Sequence, residues 1–175
     1  MPVFRGVMVG VSLVLAQTQT LKLEQHDVKQ TDTTHLGVVS YASDEVITPG
    51  TRFSLFLDVM PKPGLHVYAP GDHSYRVIRF WLDEPEFLLS YGVTYPPSEQ
   101  YYFEPLDETV PVYQAPFQLI QEVTVPVGQA SAEMDGVLTI NGTLEYQACD
   151  DEVCYFPVEV PLSWEVSLKT MVQNR

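Results

Sequence analysis

The sequence predicts an all-β protein: a single-domain, antiparallel β-sandwich of immunoglobulin-like form. Three observations lead there. From Leu36 onward, apolar residues recur at every second position in one segment after another, the period of a half-buried strand. Fourteen prolines, with glycines, interrupt those segments at short intervals, as turns between short strands require. No window carries an apolar stripe at helical spacing. With 175 residues and 45% hydrophobic content, the chain can build one core without depending on a disulfide.

The elements follow in order. The N-terminus, MPVFRGVMVGVSLVLAQTQT, sets Arg5 before an apolar run over residues 6–15 and then Ala16. That is the pattern of a secretory signal peptide over 1–16, with Val14 and Ala16 as the small residues at the cleavage site. The run of about ten residues falls well short of the roughly 20 that span a bilayer; the alternative is a buried N-terminal strand. Residues 17–35, rich in Gln and Thr, read as a flexible polar arm. No cysteine follows the apolar run and no later segment is long enough to cross a membrane. The expected protein is therefore periplasmic or secreted, released near Ala16, with no stable membrane insertion.

The sandwich is expected over residues 36–170, with a short tail over 171–175. TRFSLFLDVM aligns Phe53, Leu55, Leu57 and Val59 on one face, and PFQLIQEVTVPV aligns Phe117, Leu119, Val123 and Val125. YRVIRFWL reads as a further strand. Residues 91–113 carry the weakest strand signal and read as a long loop with three consecutive aromatics. GVLTINGTLEYQ then puts Leu138, Ile140, Leu144 and Tyr146 inward, and FPVEVPLSWEVSL does the same for Phe156, Val158, Val160, Leu162, Trp164, Val166 and Leu168. Pro157 and Pro161 fall on the outward face, which suits an edge strand.

The formal charge is −14, and basic clusters are missing. Nucleic acid and anionic membrane surfaces are therefore poor partners, and no nucleic acid is expected.

The chain's two cysteines lie in YQACDDEVCYFP, residues 146–157. The flanking alternations make this the tip of a hairpin, so Cys149 and Cys154 face each other at a separation a disulfide spans easily. Three uses remain open. As a staple the bond is weak, because closing so short a loop contributes roughly 2 kcal/mol and joins strands already paired. As a metal site it would need His66 or His73, with no second Cys or His pair at ligand spacing; no metal or cofactor is expected. As a redox pair it is unusual, because Asp150, Asp151 and Glu152 should raise the thiol pKa and restrain reactivity until a partner docks. Those carboxylates also suit an exposed turn.

The segment YQACDDEVCYFP resembles the Tyr-Gln-x-Cys … Cys-Tyr-x-Pro strand-loop-strand of the N-terminal periplasmic domain of the DsbD thiol–disulfide interchange family. PKPGLHVYAPG, residues 61–71, resembles that family's Gly-aromatic-x-x-Tyr turn and strand. The resemblance spans residues 36–168 and implies an immunoglobulin-like sandwich with the cysteine pair at one end. It implies an oxidoreductase activity of the protein-disulfide reductase type. Electrons would come from a membrane thiol–disulfide transporter and pass to periplasmic thioredoxin-like or disulfide-containing proteins. Cys149 would form the mixed disulfide and Cys154 would resolve it. An aromatic cap loop would fall on Glu99, Tyr101, Tyr102 and Phe103, with Glu99 matching an acid that sets thiol reactivity. Tyr68 and His66 match aromatic positions beneath the cysteines, and for His66 a packed role competes with a catalytic one. The four-residue gap between the cysteines is shorter and more acidic than in the best-known members. With neither a membrane domain nor a thioredoxin-like domain before Arg175, the chain is expected to act as a free carrier. The competing class is a secreted immunoglobulin-like binding or structural module with a non-catalytic hairpin disulfide.

Overall fold

The computed structural model describes residues 27–83, 87–128 and 136–169. The signal peptide expected over 1–16, residues 17–26 of the arm and the tail over 171–175 lie outside the described residues. Among those described, thirteen strands form three sheets, and no helix is long and apolar enough to cross a membrane.

The first sheet is ordered β1-β2-β4-β10-β7: β1 (Lys29–Asp32), β2 (Leu36–Ala42), β4 (Arg52–Pro61), β10 (Phe117–Thr124) and β7 (Leu89–Thr94). The second is ordered β3-β13-β11-β6: β3 (Val46–Ile47), β13 (Val158–Leu168), β11 (Val137–Tyr146) and β6 (Arg79–Leu82). All pairings in these two sheets are antiparallel except the short β13–β3 contact. Their inner faces share one core, which is the immunoglobulin-like sandwich the period-two pattern predicts.

The alternation becomes burial. Phe53, Leu55, Leu57 and Val59 of β4 are buried against Leu138, Ile140, Leu144 and Tyr146 of β11 and Val160, Leu162, Trp164 and Val166 of β13. Trp164 is 1% exposed. Its ring lies 5.5 Å from that of Phe80, and its indole N–H donates to the Phe56 carbonyl of the opposite sheet at 3.4 Å. Gly142 makes room for it, because a Cβ there would stand 2.8 Å from the Trp81 carbonyl oxygen and 3.2 Å from Trp164 Cζ3.

The hairpin that carries the cysteines forms as expected, β11 pairing with β13 from Val137↔Ser167 to Tyr146↔Val158. Pro161 points outward at a level where β3, which reaches only Ser167 and Leu168, leaves β13 an edge.

Four expectations change. Within the arm assigned to 17–35, Lys29–Asp32 is strand β1, paired with β2. Its polar side chains find partners: Lys29 Nζ donates to Ser163 Oγ and Glu165 Oε1, and Lys62 Nζ donates to Asp32 Oδ2. Residues 91–113 hold strands rather than a loop, namely the end of β7, then β8 (Glu99–Phe103) and β9 (Glu108–Tyr113). Phe156 is not inward but 92% exposed. The ladder starts only at Val158, after Pro157, which has no N–H to give it. Glu145, which the alternation of β11 sets on the outer face between the inward Leu144 and Tyr146, is buried because Arg76 and Arg79 close over its carboxylate.

Candidate active site

The third sheet, at one end of the sandwich, is ordered β12-β5-β9-β8, where β12 is Ala148–Cys149 and β5 is His66–Tyr68. Beyond Tyr146 the chain leaves the sandwich sheet and pairs with β5, Ala148 opposite Val67 and Cys149 opposite His66. β9 joins the other side of β5, and β8 pairs with β9 from Glu99↔Val112 to Phe103↔Glu108. This small sheet therefore brings residues 66–68, 99–103, 108–113 and 148–149 together.

Cys149 and Cys154 are joined by a disulfide across an isolated antiparallel bridge. The two sulfurs are not equivalent. Cys149 is 1% exposed and packs with Tyr68, Val110 and Val112, with Tyr75 and Tyr101 against them, whereas Cys154 is exposed. On either side of Cys154, Val153 and Phe156 are exposed as well.

The acidic insert proves to be the scaffold of the tip. Asp150 Oδ1 accepts from the backbone N–H groups of Glu152 (2.8 Å) and Val153 (2.7 Å). Its Oδ2 accepts from the Tyr155 hydroxyl at 2.7 Å. The Val153 N–H, then the Tyr155 hydroxyl and Glu152 N–H, hold this carboxyl below its ordinary value. Asp151 Oδ1 accepts from the Tyr101 hydroxyl at 2.7 Å, tying β8 to the tip. Glu152 is exposed and makes no side-chain hydrogen bond among the described residues.

Tyr101 is the aromatic of the expected cap segment that reaches the cysteines. It packs in the Cys149 cluster and its ring lies 4.5 Å from that of His66. Tyr102, on the other face of β8, is exposed and bonds Asp107 at 2.9 Å. Phe103 is half-buried, and Glu99 is exposed with no side-chain hydrogen bond among the described residues; neither joins the cysteine cluster. The segment expected to form a cap loop is a strand, held by the β8–β9 ladder and the Tyr101–Asp151 bond.

Beneath the disulfide, the Tyr68 hydroxyl lies 3.9 Å from Cys154 Sγ. Burial raises its pKa to about 12, with Tyr75, Tyr101 and Glu108 adding to the rise. The Tyr68 ring stacks on Tyr75 at 4.3 Å, and Tyr75 donates to Glu108 Oε2 at 2.8 Å. Tyr75 and Glu108 were invisible as site residues, since one begins YRVIRFWL, which reads only as a strand, and the other lies inside residues 91–113, which read as loop. His66 is 3% exposed and its Nε2 has no hydrogen-bond partner. Burial lowers its pKa, against the carboxylates of Asp151 and Asp150, which raise it. His73 donates from Nε2 to the Ala69 carbonyl at 2.8 Å, and its ring lies 5.5 Å from that of Tyr68.

One residue before the end of the β11–β13 ladder, Arg79 first and then Arg76 hold the Glu145 carboxyl below its ordinary value. Depressed folded-state values at Glu145 and Asp150 contribute stability that is present above their unfolded values, near pH 4, and lost as pH falls through the folded ones. The urea midpoint is therefore expected to hold from about pH 6 to about pH 5 and to fall below about pH 4. A midpoint unchanged down to about pH 3 contradicts these two roles.

The terminal sheet of the sandwich thus holds a disulfide with one buried and one exposed cysteine, and strand β8 is tied to its tip through Tyr101. Residues 39–161 match the family described as "Thiol:disulfide interchange protein DsbD, N-terminal", and the chain belongs to that family. Among solved structures it is similar to the N-terminal periplasmic domain of ScsB from Proteus mirabilis, with a TM-score of 0.49 and 16% identity over 81% of this chain. The chain covers 50% of that one. No curated protein matches it in sequence.

Proposed function

We propose that this protein is a periplasmic thiol–disulfide exchange carrier. It takes electrons from a membrane thiol–disulfide transporter and gives them to soluble oxidised partners through Cys149 and Cys154. The observation that carries the proposal is the asymmetry of the bond: Cys154 is exposed among exposed apolar residues, and Cys149 is buried in a cluster against which Tyr101 packs. Family membership supports the exchange chemistry, and the leader pattern in residues 1–16 supports export.

The exposure reverses the roles that the resemblance implies for the two cysteines. In the oxidised protein the reductant's thiolate attacks Cys154 Sγ in line with the disulfide; the bond to Cys149 breaks and Cys149 leaves as a thiolate. A second thiol of the reductant then attacks the mixed disulfide and frees Cys154. With a client, Cys154 thiolate attacks the client disulfide and expels one client thiolate. Cys149 then attacks Cys154 Sγ, reforms the internal bond and expels the second. Two electrons move in each direction, and every broken S–S bond is replaced by another.

Tyr68 supports this assignment. A hydroxyl that keeps its proton to about pH 12 remains a donor toward a thiolate forming at Cys154. Val153 and Phe156 offer apolar surface for a docked partner on both sides of the reacting sulfur.

Equilibration against glutathione with thiol trapping tests the proposal. A working carrier is expected near the thioredoxin-to-isomerase range, roughly −270 to −180 mV, whereas a structural bond lies below about −300 mV. A potential below that limit favours the binding or structural module instead.

A further inference from the structure

His66 is the buried titratable group that the exchange steps above leave unused. It stands directly opposite Cys149 in the β12–β5 ladder, so the two side chains lie on the same face with Cβ atoms about 5 Å apart. It is almost wholly buried, and Nε2 has no partner. An unsatisfied buried nitrogen is costly, and a Cys149 thiol, formed across the same rung when the disulfide opens, supplies a donor. Other groups around Cys149 are already engaged. Asp150 is filled by two backbone N–H groups and Tyr155, and Asp151 holds Tyr101.

Resting on the exchange reading, we infer that His66 is the base that takes the proton from Cys149 when Cys149 closes the disulfide onto Cys154. In that step the Cys149 S–H proton moves to Nε2, which requires the tautomer protonated on Nδ1. Cys149 thiolate attacks Cys154 Sγ, and the bond from Cys154 to the partner sulfur breaks. The imidazolium gives its proton to the departing thiolate, so histidine is regenerated. In the opposite direction the same imidazole, having taken a proton, receives Cys149 as its thiolate leaves. The charged and titratable groups facing His66 are Cys149 from β12, Asp150 and Asp151 from the tip, Tyr101 from β8 and Tyr68 from its own strand. The two carboxylates favour the imidazolium, and burial favours the neutral ring, as a base used near neutral pH needs.

The test uses the reduced protein and oxidised glutathione, quenched with acid at intervals. Mass spectrometry follows decay of the glutathione adduct from about pH 5 to about pH 9. Wild-type closure is expected to level off between about pH 6.5 and about pH 8, because a neutral imidazole is available throughout that range. The His66→Gln variant is expected to close roughly a hundredfold more slowly near pH 7. Its rate should rise about tenfold per pH unit, as closure through free thiolate alone requires. A wild-type rate that climbs about tenfold per unit across the whole range overturns the inference without any variant. So does a folded His66→Gln protein, checked by circular dichroism, whose profile overlays the wild type. Failure of the wild type to form or close any adduct overturns the exchange reading and this inference with it, a result distinct from normal closure with the wrong profile.

Discussion

Replacing Cys149 with alanine is expected to leave a protein that captures partners and cannot release them. Cys154 remains exposed between Val153 and Phe156, so it still attacks a client disulfide. No second thiol then stands behind it to resolve the mixed bond, and adducts accumulate through Cys154. The mirror variant, Cys154→Ala, retains a thiol that is 1% exposed beneath Tyr101 and is expected to accumulate none. Both variants lose the same short loop closure, about 2 kcal/mol, so a difference between them reports chemistry rather than folding. Non-reducing electrophoresis and mass spectrometry of exported protein distinguish the two. Adducts through Cys149 in Cys154→Ala, with none in Cys149→Ala, reverse the assignment.

Trp164→Ala is expected to cost about 4 kcal/mol, the range for deleting a buried indole from a packed core. The ring is buried in β13, lies 5.5 Å from Phe80 and donates to the Phe56 carbonyl across the sandwich. Its removal leaves a cavity between the sheets and an acceptor short of a partner. The third sheet does not rest on it, since Cys149 packs in a separate cluster with Tyr68, Val110 and Val112. Denaturant unfolding should therefore show the full loss, while the fraction still folded forms mixed disulfides at Cys154 as before. A loss below about 1 kcal/mol would mean that the cavity collapses at little cost.

Much of the fold was legible because alternation is a local signal. In β4, β11 and β13 the apolar residues at every second position are those that become buried. Phe156 kept the phase of that pattern but not its outcome, because Pro157 delays the ladder until Val158. Glu145 broke the outer-face rule because Arg76 and Arg79 reach it from another segment. The strands of 91–113 were hidden for a similar reason: Glu99–Phe103 and Glu108–Tyr113 form a sheet only through pairing with each other and with β5.

The cysteine pair was legible from the hairpin, and its asymmetry was not. Burial of Cys149 depends on Tyr68, Val110 and Val112, which no spacing rule links to it. The same limit applies to the carboxylates of the tip. As charges in a sequence, Asp150 and Asp151 read as restraints on a thiolate. In the structure one carboxylate builds the turn and the other fastens Tyr101 over the buried sulfur.

The central claim is that Cys154 is the sulfur that meets the partner. The most direct measurement treats the oxidised wild-type protein briefly with reduced glutathione, traps free thiols and locates the adduct by peptide mass spectrometry. Glutathione on Cys154, with the trapping label on Cys149, is the result predicted. Glutathione on Cys149, with the label on Cys154, would contradict it.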